Sequence, residues 1–155
     1  MPNPPPYVPG HGLMTGKSVL ITAAAGKGIG FATARRVLEE GARALVVSDI
    51  HERRLAEAVE TLGAVAPGAE VSGHLCNVTD EAQVQSLVAT AAERLGGIDV
   101  LVNNAGLGGL KPVAEMSDAE WLSVLDVTLT GTFRMTRAAL AHMIPRRAGV
   151  IVNNA

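Results

Sequence analysis

A glycine-rich segment follows the first apolar run of the chain, and its sequence is Thr22-Ala-Ala-Ala-Gly-Lys-Gly-Ile-Gly30. Glycines let a backbone turn sharply and approach a phosphate without a Cβ in the way. A helix that follows such a turn presents free N–H groups and the positive end of its dipole, which suit the pyrophosphate of a dinucleotide. The segment therefore predicts a dinucleotide-binding turn. We assign to this turn Ala24, Gly26, Lys27, Gly28, Ile29 and Gly30.

Asp49 lies at the end of the second apolar run, at the distance from Gly30 that suits a ribose-binding acid. Its carboxylate can accept hydrogen bonds from both ribose hydroxyls of the adenosine half, and it repels a 2′-phosphate. Lys27, Arg53 and Arg54 can instead neutralise that phosphate. An unpaired carboxylate beside a phosphate dianion costs on the order of several kcal/mol in a partly dry site. The balance favours NAD over NADP.

Five short apolar runs alternate with helical segments, and these elements must position the turn and the acid. The predicted strands are Ser18–Thr22, Ala44–Ser48, Val71–Cys76, Asp99–Asn103 and Val150–Asn153. The predicted helices are Ile29–Glu40, Arg53–Leu62, Asp80–Leu95 and one that starts at a Ser117/Glu120 capping box and runs to about Met143, ended by Pro145 and Gly149. Continuous apolar strands between helices predict an α/β fold: a Rossmann-type, doubly wound parallel sheet.

The first 13 residues hold five prolines, and we expect residues 1–13 to form a flexible tail, with order beginning near Lys17. Residues 14–155 then form a dinucleotide-binding Rossmann domain. The tail has no basic segment followed by an apolar one, so it does not resemble a secretory signal. We therefore expect a cytoplasmic protein.

The composition excludes several classes of function. The net charge is −2, which gives no reason to expect nucleic acid or a membrane as a partner. The four aromatic residues are scattered, so a base-stacking surface is not expected. Cys76 is the single cysteine, which rules out an internal disulfide or a thiolate metal cluster, and no other spacing predicts a metal site. We expect Cys76 to be a small buried residue at a strand end.

The turn, Asp49, the sequence Asn103-Asn-Ala-Gly106 and the sequence Leu129-Thr-Gly131 together resemble the short-chain dehydrogenase/reductase family, and the resemblance runs from Gly12 to Ala155. It implies an NAD(P)-dependent oxidoreductase that interconverts a secondary alcohol and a ketone. It also implies that the Asn-Asn-Ala-Gly sequence braces the sheet and lines the nicotinamide side of the cofactor. The further site residues implied in this way are Asn77 and Val78 beside the adenine, and Asn104, Ala105 and Gly106.

Within that family, three stretches of sequence look most like bacterial reductases of steroid degradation, which act on ring-derived coenzyme A thioesters. These stretches are residues 23–30, 49–54 and 103–109. The implied partner is a small alcohol or ketone, and this closer resemblance implies a CoA thioester. The family also implies a homo-oligomer, a dimer or a tetramer.

The chain departs from the family pattern at three positions. An alanine, Ala23 or Ala24, stands where glycine usually follows the threonine, and the turn is one residue longer. Asn77 replaces the usual aspartate, and its amide can still contact adenine. Thr128 stands where the family has an asparagine that holds a proton-relay water, and it is the candidate catalytic residue of this chain because its hydroxyl can still bind water.

The family's acid/base chemistry needs a serine and a Tyr-x-x-x-Lys pair, and neither is present at a matching position. The only tyrosine is Tyr7, and residue 11 is histidine. We therefore expect a fragment that ends before its catalytic residues, with a bare edge strand that makes it marginally stable and prone to associate. The alternative is a natural, non-catalytic dinucleotide-binding module. An extended dehydratase or epimerase relative is disfavoured by the glycine spacing.

Other conspicuous residues have ordinary explanations. We expect Trp121 to be a packing anchor or to be buried between protomers, and Arg134 and Arg137 to form a solvated helix face. His51 fits a solvated loop better than an adenine contact. The segment 107–110 follows the bracing motif, so it can line a substrate pocket.

Overall fold

The computed structural model describes residues 5–108 and 111–154, and its centre is one parallel five-stranded sheet. The strands are β1 (Ser18–Ile21), β2 (Ala44–Asp49), β3 (Glu70–Leu75), β4 (Val100–Asn103) and β5 (Val150–Asn153). The helices are α1 (Ile29–Glu39), α2 (Glu52–Val65), α3 (Glu81–Leu95), α4 (Asp118–Leu125) and α5 (Gly131–Arg146). A 3₁₀ turn, Val113–Glu115, precedes α4, and a π-helical turn, Asp126–Thr130, joins α4 to α5.

The strand order is β3-β2-β1-β4-β5, and every neighbouring pair is parallel. This order reverses direction at β1, so β1 and β4 flank the switch point where doubly wound sheets bind their ligands. The Rossmann-type fold predicted from the alternating pattern is therefore confirmed, with each strand within one residue of its predicted bounds. β5 lies at an edge of the sheet, where Val150 and Val152 are exposed.

Two apolar cores cover the two faces of the sheet, because successive strand residues point to opposite faces. On one face, Leu20 and Leu101 pack against α3 and α5. On the other, Val19 and Ile21 pack against α1 and α2. Continuous apolar strands are the sequence signature of this double covering.

The segment predicted as one helix from Ser117 to Met143 is two helices with a π turn between them. The predicted capping box at the start of α4 is confirmed, since Ser117 and Glu120 each bond the other's backbone N–H. At the π turn, the Thr132 hydroxyl donates to the Thr128 carbonyl at 2.8 Å, a side-chain bond that bends helices. Periodicity cannot reveal the extra residue of a π turn, because a single insertion barely changes the apolar pattern.

Pro145 was expected to end this helix, but it lies inside α5. The helix ends at Arg146, and Arg147 then adopts a left-handed φ of 51°. Proline removes only one N–H, and the N–H groups of Arg147 and Ala148 still donate to the carbonyls of Ile144 and Met143. The left-handed residue, not the proline, stops the helix.

The described part of the N-terminal segment contacts α1. Glu40, which follows α1 and is 4% exposed, accepts hydrogen bonds from the backbone N–H of Leu13 and of His11 and pairs with Arg36. These contacts, the Leu13 bond foremost, lower the pKa of Glu40 to about 2. Tyr7 lies against α1 and bonds Glu39. The flexible tail and the boundary at residue 13 stay predictions.

None of the helices in the described ranges is long and apolar enough to cross a membrane.

Candidate functional site

The glycine-rich turn leaves the carboxyl end of β1 and enters α1, as expected. The Thr22 hydroxyl oxygen accepts the backbone N–H of Asn104 at 2.9 Å and that of Ala105 at 3.0 Å. The N–H of Ala24 donates to the carbonyl of Ser48 on β2 at 3.0 Å. The turn is thus tied to the strands on both sides of β1, which holds its backbone in one shape.

Two residues of the turn have positive φ angles, Gly26 at 95° and Ala23 at 51°. Glycine reaches such angles without cost, whereas an alanine Cβ crowds its own backbone there, at a cost of roughly 1–2 kcal/mol. Ala23 follows the threonine directly, so it is the alanine that occupies the position where glycine is usual. Ala23, which departs from the family pattern at this position, is therefore a strained residue in the structure.

Replacing Ala23 by glycine is expected to raise the free energy of unfolding by about 0.5–1 kcal/mol, because the relief of strain outweighs the added chain entropy of glycine. Urea unfolding followed by circular dichroism measures the change. Ala25→Gly serves as the matched control, since Ala25 lies in the same turn without a positive φ and should lose stability. A loss of stability in Ala23→Gly would contradict the strain.

Gly30 allows a close approach between the turn, α1 and Asn104. A Cβ at this position would lie 2.4 Å from the Ala23 carbonyl oxygen and 2.5 Å from the Asn104 side-chain nitrogen. Asn104 Nδ2 donates to the carbonyls of Thr22 and Ala23 at 3.2 and 3.0 Å, and its Oδ1 accepts from Asn154 at 2.9 Å. Asn104 therefore links the turn to the segment after β5, which is a brace of the kind that the resemblance implied.

Asp49 ends β2 beside the turn, and both of its carboxylate oxygens already accept backbone hydrogen bonds. Oδ2 accepts from Ala25 at 3.2 Å, and Oδ1 accepts from His51 at 3.1 Å. Each oxygen keeps at least one further acceptor position. The carboxylate is thus held in place while it can still accept from another donor. His51 itself is exposed at the start of α2 and also lines the cavity described next, so both the solvated loop and the adenine contact stay predictions.

A cavity of about 220 Å³ lies over the carboxyl edge of the sheet. Five of the predicted site residues share this cavity. They are Asp49, Asn77, Val78, Ala105 and Gly106. Ala23, Cys76, Leu107 and Val127 also line the cavity. Burial, helped by the charge of Asp80, raises the pKa of the Cys76 thiol to about 11, so Cys76 is an inert wall, buried as expected.

Asn77 uses part of its amide within its own loop. Its Oδ1 accepts from the backbone N–H and the hydroxyl of Thr79, at 3.1 and 2.9 Å. The backbone N–H of Asn77 donates to Gln83 Oε1 at 2.9 Å. Its side-chain nitrogen has no hydrogen-bond partner within the described ranges. Asn77 can therefore donate into the cavity, as an aspartate there could not.

Thr128 lies in the middle of the π turn, and its hydroxyl oxygen accepts the backbone N–H of Leu107 at 3.2 Å. The bond fixes the segment that follows Gly106 against the π turn. A catalytic role for Thr128 stays a prediction, and the observed contact is a positioning one. π-Helical turns often occur at functional sites, which agrees with this location.

None of the six predicted turn residues is among those that line this cavity, and three of them lie at other clefts. Gly26 and Lys27 line a separate cleft between α1 and α2, together with Arg54 and Glu57. Ile29 is 67% exposed and lies along a groove on α1 that also includes Leu13. The backbone N–H groups of this part of the turn can still donate hydrogen bonds to a ligand, but the side chain of Ile29 does not line the cavity.

A second cavity, of about 330 Å³, begins where the first one ends. Leu107 and Gly108 line it, with Met116 and Val124 from the α4 region and the ion pair of Lys111 and Glu120. The predicted pocket segment 107–110 is thus present at its first two residues. Gly109 and Leu110 fall outside the described residues.

Part of each of two expectations for the long helix is wrong. Trp121 is 51% exposed in this chain, so it is not a packing anchor of the described core, and its burial between protomers stays a prediction. Arg134 and Arg137 are not merely solvated: Arg134 bonds Asp126 at 2.8 Å, and Arg137 bonds Glu81 at 2.7 Å. Sequence reasoning missed these pairs because the partners of α5 lie on other elements, and no local spacing reveals them.

A buried amide cluster was also missed. Asn103 is buried, and its side-chain nitrogen donates to Thr136 Oγ1 at 3.1 Å and to Asn153 Oδ1 at 2.9 Å. Its own Oδ1 has no protein partner within the described ranges. The repeated Asn-Asn pairs at the ends of two strands were the available signal, since adjacent parallel strands bring their ends together.

No group of histidine, cysteine, aspartate or glutamate in residues 5–108 and 111–154 could hold a metal ion.

Comparison with known proteins agrees with this geometry. The family model for short chain dehydrogenases matches residues 17–155. A relative from Mycobacterium tuberculosis, a (5R,7aS)-5-hydroxy-7a-methyl-1-oxo-2,3,5,6,7,7a-hexahydro-1H-indene-carboxyl-CoA reductase, is 56% identical over 97% of this chain and 57% of its own length. A putative ketoacyl reductase of granaticin polyketide synthesis from Streptomyces violaceoruber is 40% identical over 88% of this chain and 50% of its own length.

Among solved structures, a short chain dehydrogenase from Mycobacterium smegmatis superimposes with a TM-score of 0.91 at 51% identity, over 99% of this chain and 62% of that one. An NAD⁺-bound xylitol dehydrogenase has a TM-score of 0.85 at 35% identity, over 92% and 54% of the two chains. An actinorhodin polyketide ketoreductase solved with NADPH has a TM-score of 0.81 at 38% identity, over 88% and 51%. The chain thus spans about half the length of the curated relatives that it matches.

Proposed function

Because the chain belongs to the short-chain dehydrogenase family, we propose that its sheet edge binds NAD in an oxidoreductase that interconverts a secondary alcohol and a ketone. The observation that carries the proposal is the cavity over the carboxyl edge, which Asp49 and the segment from Ala105 to Leu107 both line. A ligand that spans it would contact the ends of β2, β3 and β4 together, as a dinucleotide does.

The described residues fit such a ligand. Gly28 starts α1 without a side-chain cap, so the first N–H groups of the helix can bind a pyrophosphate. Asp49 would accept from the ribose hydroxyls, and the Asn77 amide would donate to the adenine. Similar structures carry NAD⁺ in one case and NADPH in another, so the preference for NAD over NADP rests on Asp49 alone.

The nicotinamide ring, when bound, supplies or accepts the hydride. The residues of this chain bind and orient: the Asn104 brace holds the turn, and Thr128 holds the segment after Gly106. The family's proton donor is a tyrosine followed by a lysine four residues later, and the only tyrosine among the 155 residues, Tyr7, lies against α1. The proposed role of this chain is therefore cofactor binding.

The second cavity suggests the class of substrate. Leu107, Met116 and Val124 give it apolar walls, and Lys111 lies at the same cavity. An apolar ring system suits these walls, while the ion pair with Glu120 offsets the charge of Lys111. The relative from Mycobacterium tuberculosis is named for a bicyclic ketone on a CoA thioester. We propose a ring-derived CoA thioester for this protein also, acting in the cytoplasm, where a free cysteine such as Cys76 stays reduced.

Titration calorimetry of the 155-residue chain tests the proposal. We expect NAD⁺ to bind with a dissociation constant in the micromolar range and NADP⁺ to bind more weakly by about tenfold, the size expected from one unfavourable charge pair. Absence of heat with either dinucleotide would contradict the proposed site. Tighter binding of NADP⁺ would overturn the preference for NAD while leaving the site intact.

We also propose that the chain self-associates through α5. Four large apolar residues, one from the π turn and three from α5, are exposed at spacings of four, seven and four residues. They are Leu129, Phe133, Leu140 and Ile144. A stripe of this kind is unusual on a monomer and is typical of an interface between copies.

Replacing Phe133 by glutamate should weaken self-association by about 30-fold, because it removes a central aromatic contact worth about 2 kcal/mol. Analytical ultracentrifugation over a concentration series measures the association constant. Val113→Glu is the control, since Val113 is also exposed but lies outside the stripe. Equal association of the Phe133→Glu variant and the wild type would exclude this face as the interface.

A further inference from the structure

The side chain of Arg134 joins two segments that are far apart in the sequence. Its Nη1 donates to Asp126 Oδ1 at 2.8 Å and approaches the carbonyl oxygen of Val78 at 3.5 Å. Its Nε lies 3.9 Å from Glu81 at the start of α3. The side chain is only 20% exposed. One guanidinium therefore contacts the π turn, the loop after β3 and the start of α3.

Both segments that Arg134 contacts contribute walls to the proposed dinucleotide cavity. Val78 lines it from the loop after β3, and Val127, the neighbour of Asp126, lines it from the π turn. The strand order puts β3 on one side of β1 and β4, with the Leu107 segment that follows it, on the other. The relative position of these walls sets the shape of the cavity.

Gly131 brings the same two segments into direct contact. A Cβ at Gly131 would lie 2.6 Å from Cγ2 of Val78, so the backbone of α5 rests on the valine side chain. Apolar contact of this kind has no preferred direction along the interface. The hydrogen bonds and charges of Arg134 are directional, and they determine how the two segments are aligned.

We propose that Arg134 is a positioning residue for the dinucleotide: it holds the adenosine wall at Val78 in register with the π turn that carries Thr128. The inference rests on the proposed function and deepens it. A ligand that contacts only the Asp49 and Asn77 side needs the first wall alone. A complete dinucleotide needs both walls at a set separation, so only the dinucleotide depends on Arg134.

The planar guanidinium group allows Arg134 to link the π turn to the loop after β3. Arginine offers five N–H donors in a fixed plane, whereas lysine is a point charge on a flexible chain. A lysine at position 134 can neutralise Asp126 but cannot hold Val78 and Asp126 in one geometry. The neighbouring Arg137 provides a matched comparison, because it pairs with Glu81 from the same helix and, within the described ranges, bonds neither Asp126 nor Val78.

Titration calorimetry with NAD⁺ and with AMP tests the proposal, on the wild-type chain and on Arg134→Gln, Arg134→Lys and Arg137→Gln. In Arg134→Gln we expect the dissociation constant of NAD⁺ to rise about tenfold, the loss expected when one charge-assisted hydrogen bond no longer holds a site. The dissociation constant of AMP should rise by less than about threefold. Arg134→Lys should fall between the wild type and Arg134→Gln, and Arg137→Gln should bind both ligands as the wild type does.

Each outcome of this experiment supports or overturns either the positioning role of Arg134 or the proposed function. NAD⁺ affinity that is unchanged in Arg134→Gln, or that falls equally in Arg137→Gln, overturns the positioning role. Equal losses for AMP and NAD⁺ overturn it too, because they would show damage to one wall only. Binding of neither ligand by the wild-type chain would instead overturn the proposed function. If Arg134→Gln does not fold, Asp126→Asn cuts the same contact from its exposed end and should give the same split between NAD⁺ and AMP.

Discussion

Replacing Gly30 by alanine is expected to lower the free energy of unfolding by about 2–3 kcal/mol and to remove detectable NAD⁺ binding. The added Cβ would meet the backbone oxygen of Ala23 at 2.4 Å, and a backbone atom of a braced turn cannot move away cheaply. It would also meet Asn104 Nδ2 at 2.5 Å, which displaces the two hydrogen bonds that this nitrogen donates to the turn. Overpacking of this kind costs about 1–3 kcal/mol, and the lost bonds add to it.

Urea unfolding and NAD⁺ calorimetry measure the two effects. Gly63→Ala is the matched control for stability, since Gly63 lies inside α2 with open space around its Cβ position. That variant should gain about 0.5–1 kcal/mol from the better helix propensity of alanine and should bind NAD⁺ normally. A Gly30→Ala variant as stable as the wild type would show that the turn can move apart, which contradicts the role of the Asn104 brace.

Replacing Asp49 by asparagine is expected to weaken NAD⁺ binding by about 10- to 100-fold and to leave NADP⁺ binding unchanged or tighter. Hydrogen bonds from ribose hydroxyls to a charged carboxylate are worth about 1.5–3 kcal/mol, more than those to a neutral amide. Removing the charge also removes its repulsion of a 2′-phosphate. The fold should persist, because the asparagine oxygen can still accept one of the two backbone bonds, from Ala25 or from His51.

Calorimetry with both dinucleotides gives the ratio of their affinities, which is the informative quantity. Lys27→Gln is the opposite control: Lys27 lies in the cleft with Arg54, where a 2′-phosphate would find positive charge. The Lys27→Gln variant should bind NADP⁺ several-fold more weakly and bind NAD⁺ with nearly unchanged affinity. If Asp49→Asn changes the dissociation constants of both dinucleotides equally, then Asp49 holds the turn through Ala25 but does not determine the preference for one cofactor.

The sequence was enough to predict the sheet, because its signals are local. Four of the strands are mainly short apolar runs, whereas β3 mixes polar and apolar residues. The Asp80 side chain caps α3 by accepting from two N–H groups within three residues. The glycine-rich turn and Asp49 could also be placed, since parallel strands all end at one edge of the sheet. The resemblance to the family, not this rule, added Asn77, Val78, Ala105 and Gly106, and these four line one cavity with Asp49.

Where the sequence failed, the deciding contacts join distant residues. Trp121 has the size and spacing of a core residue, but whether a helix face meets a core depends on what the fold packs against it. Arg134 and Arg137 look like a solvated face because their partners, Asp126 and Glu81, lie 8 and 56 residues away in the chain. The π turn was hidden for a related reason, since one inserted residue leaves the apolar period nearly intact.

The sequence alone therefore determined the five strands and the first three helices, and it placed the glycine-rich turn, with Asp49 beside it, at one edge of the sheet. Only the tertiary structure decided that Ala23 takes a left-handed φ, that Asn104 and Gly30 meet at close contact, and that Arg134 ties the π turn to Val78. The reason is physical. Strand and helix patterns depend on neighbours within a few residues, whereas strain, close approach and ion pairing depend on the distances at which packed elements meet.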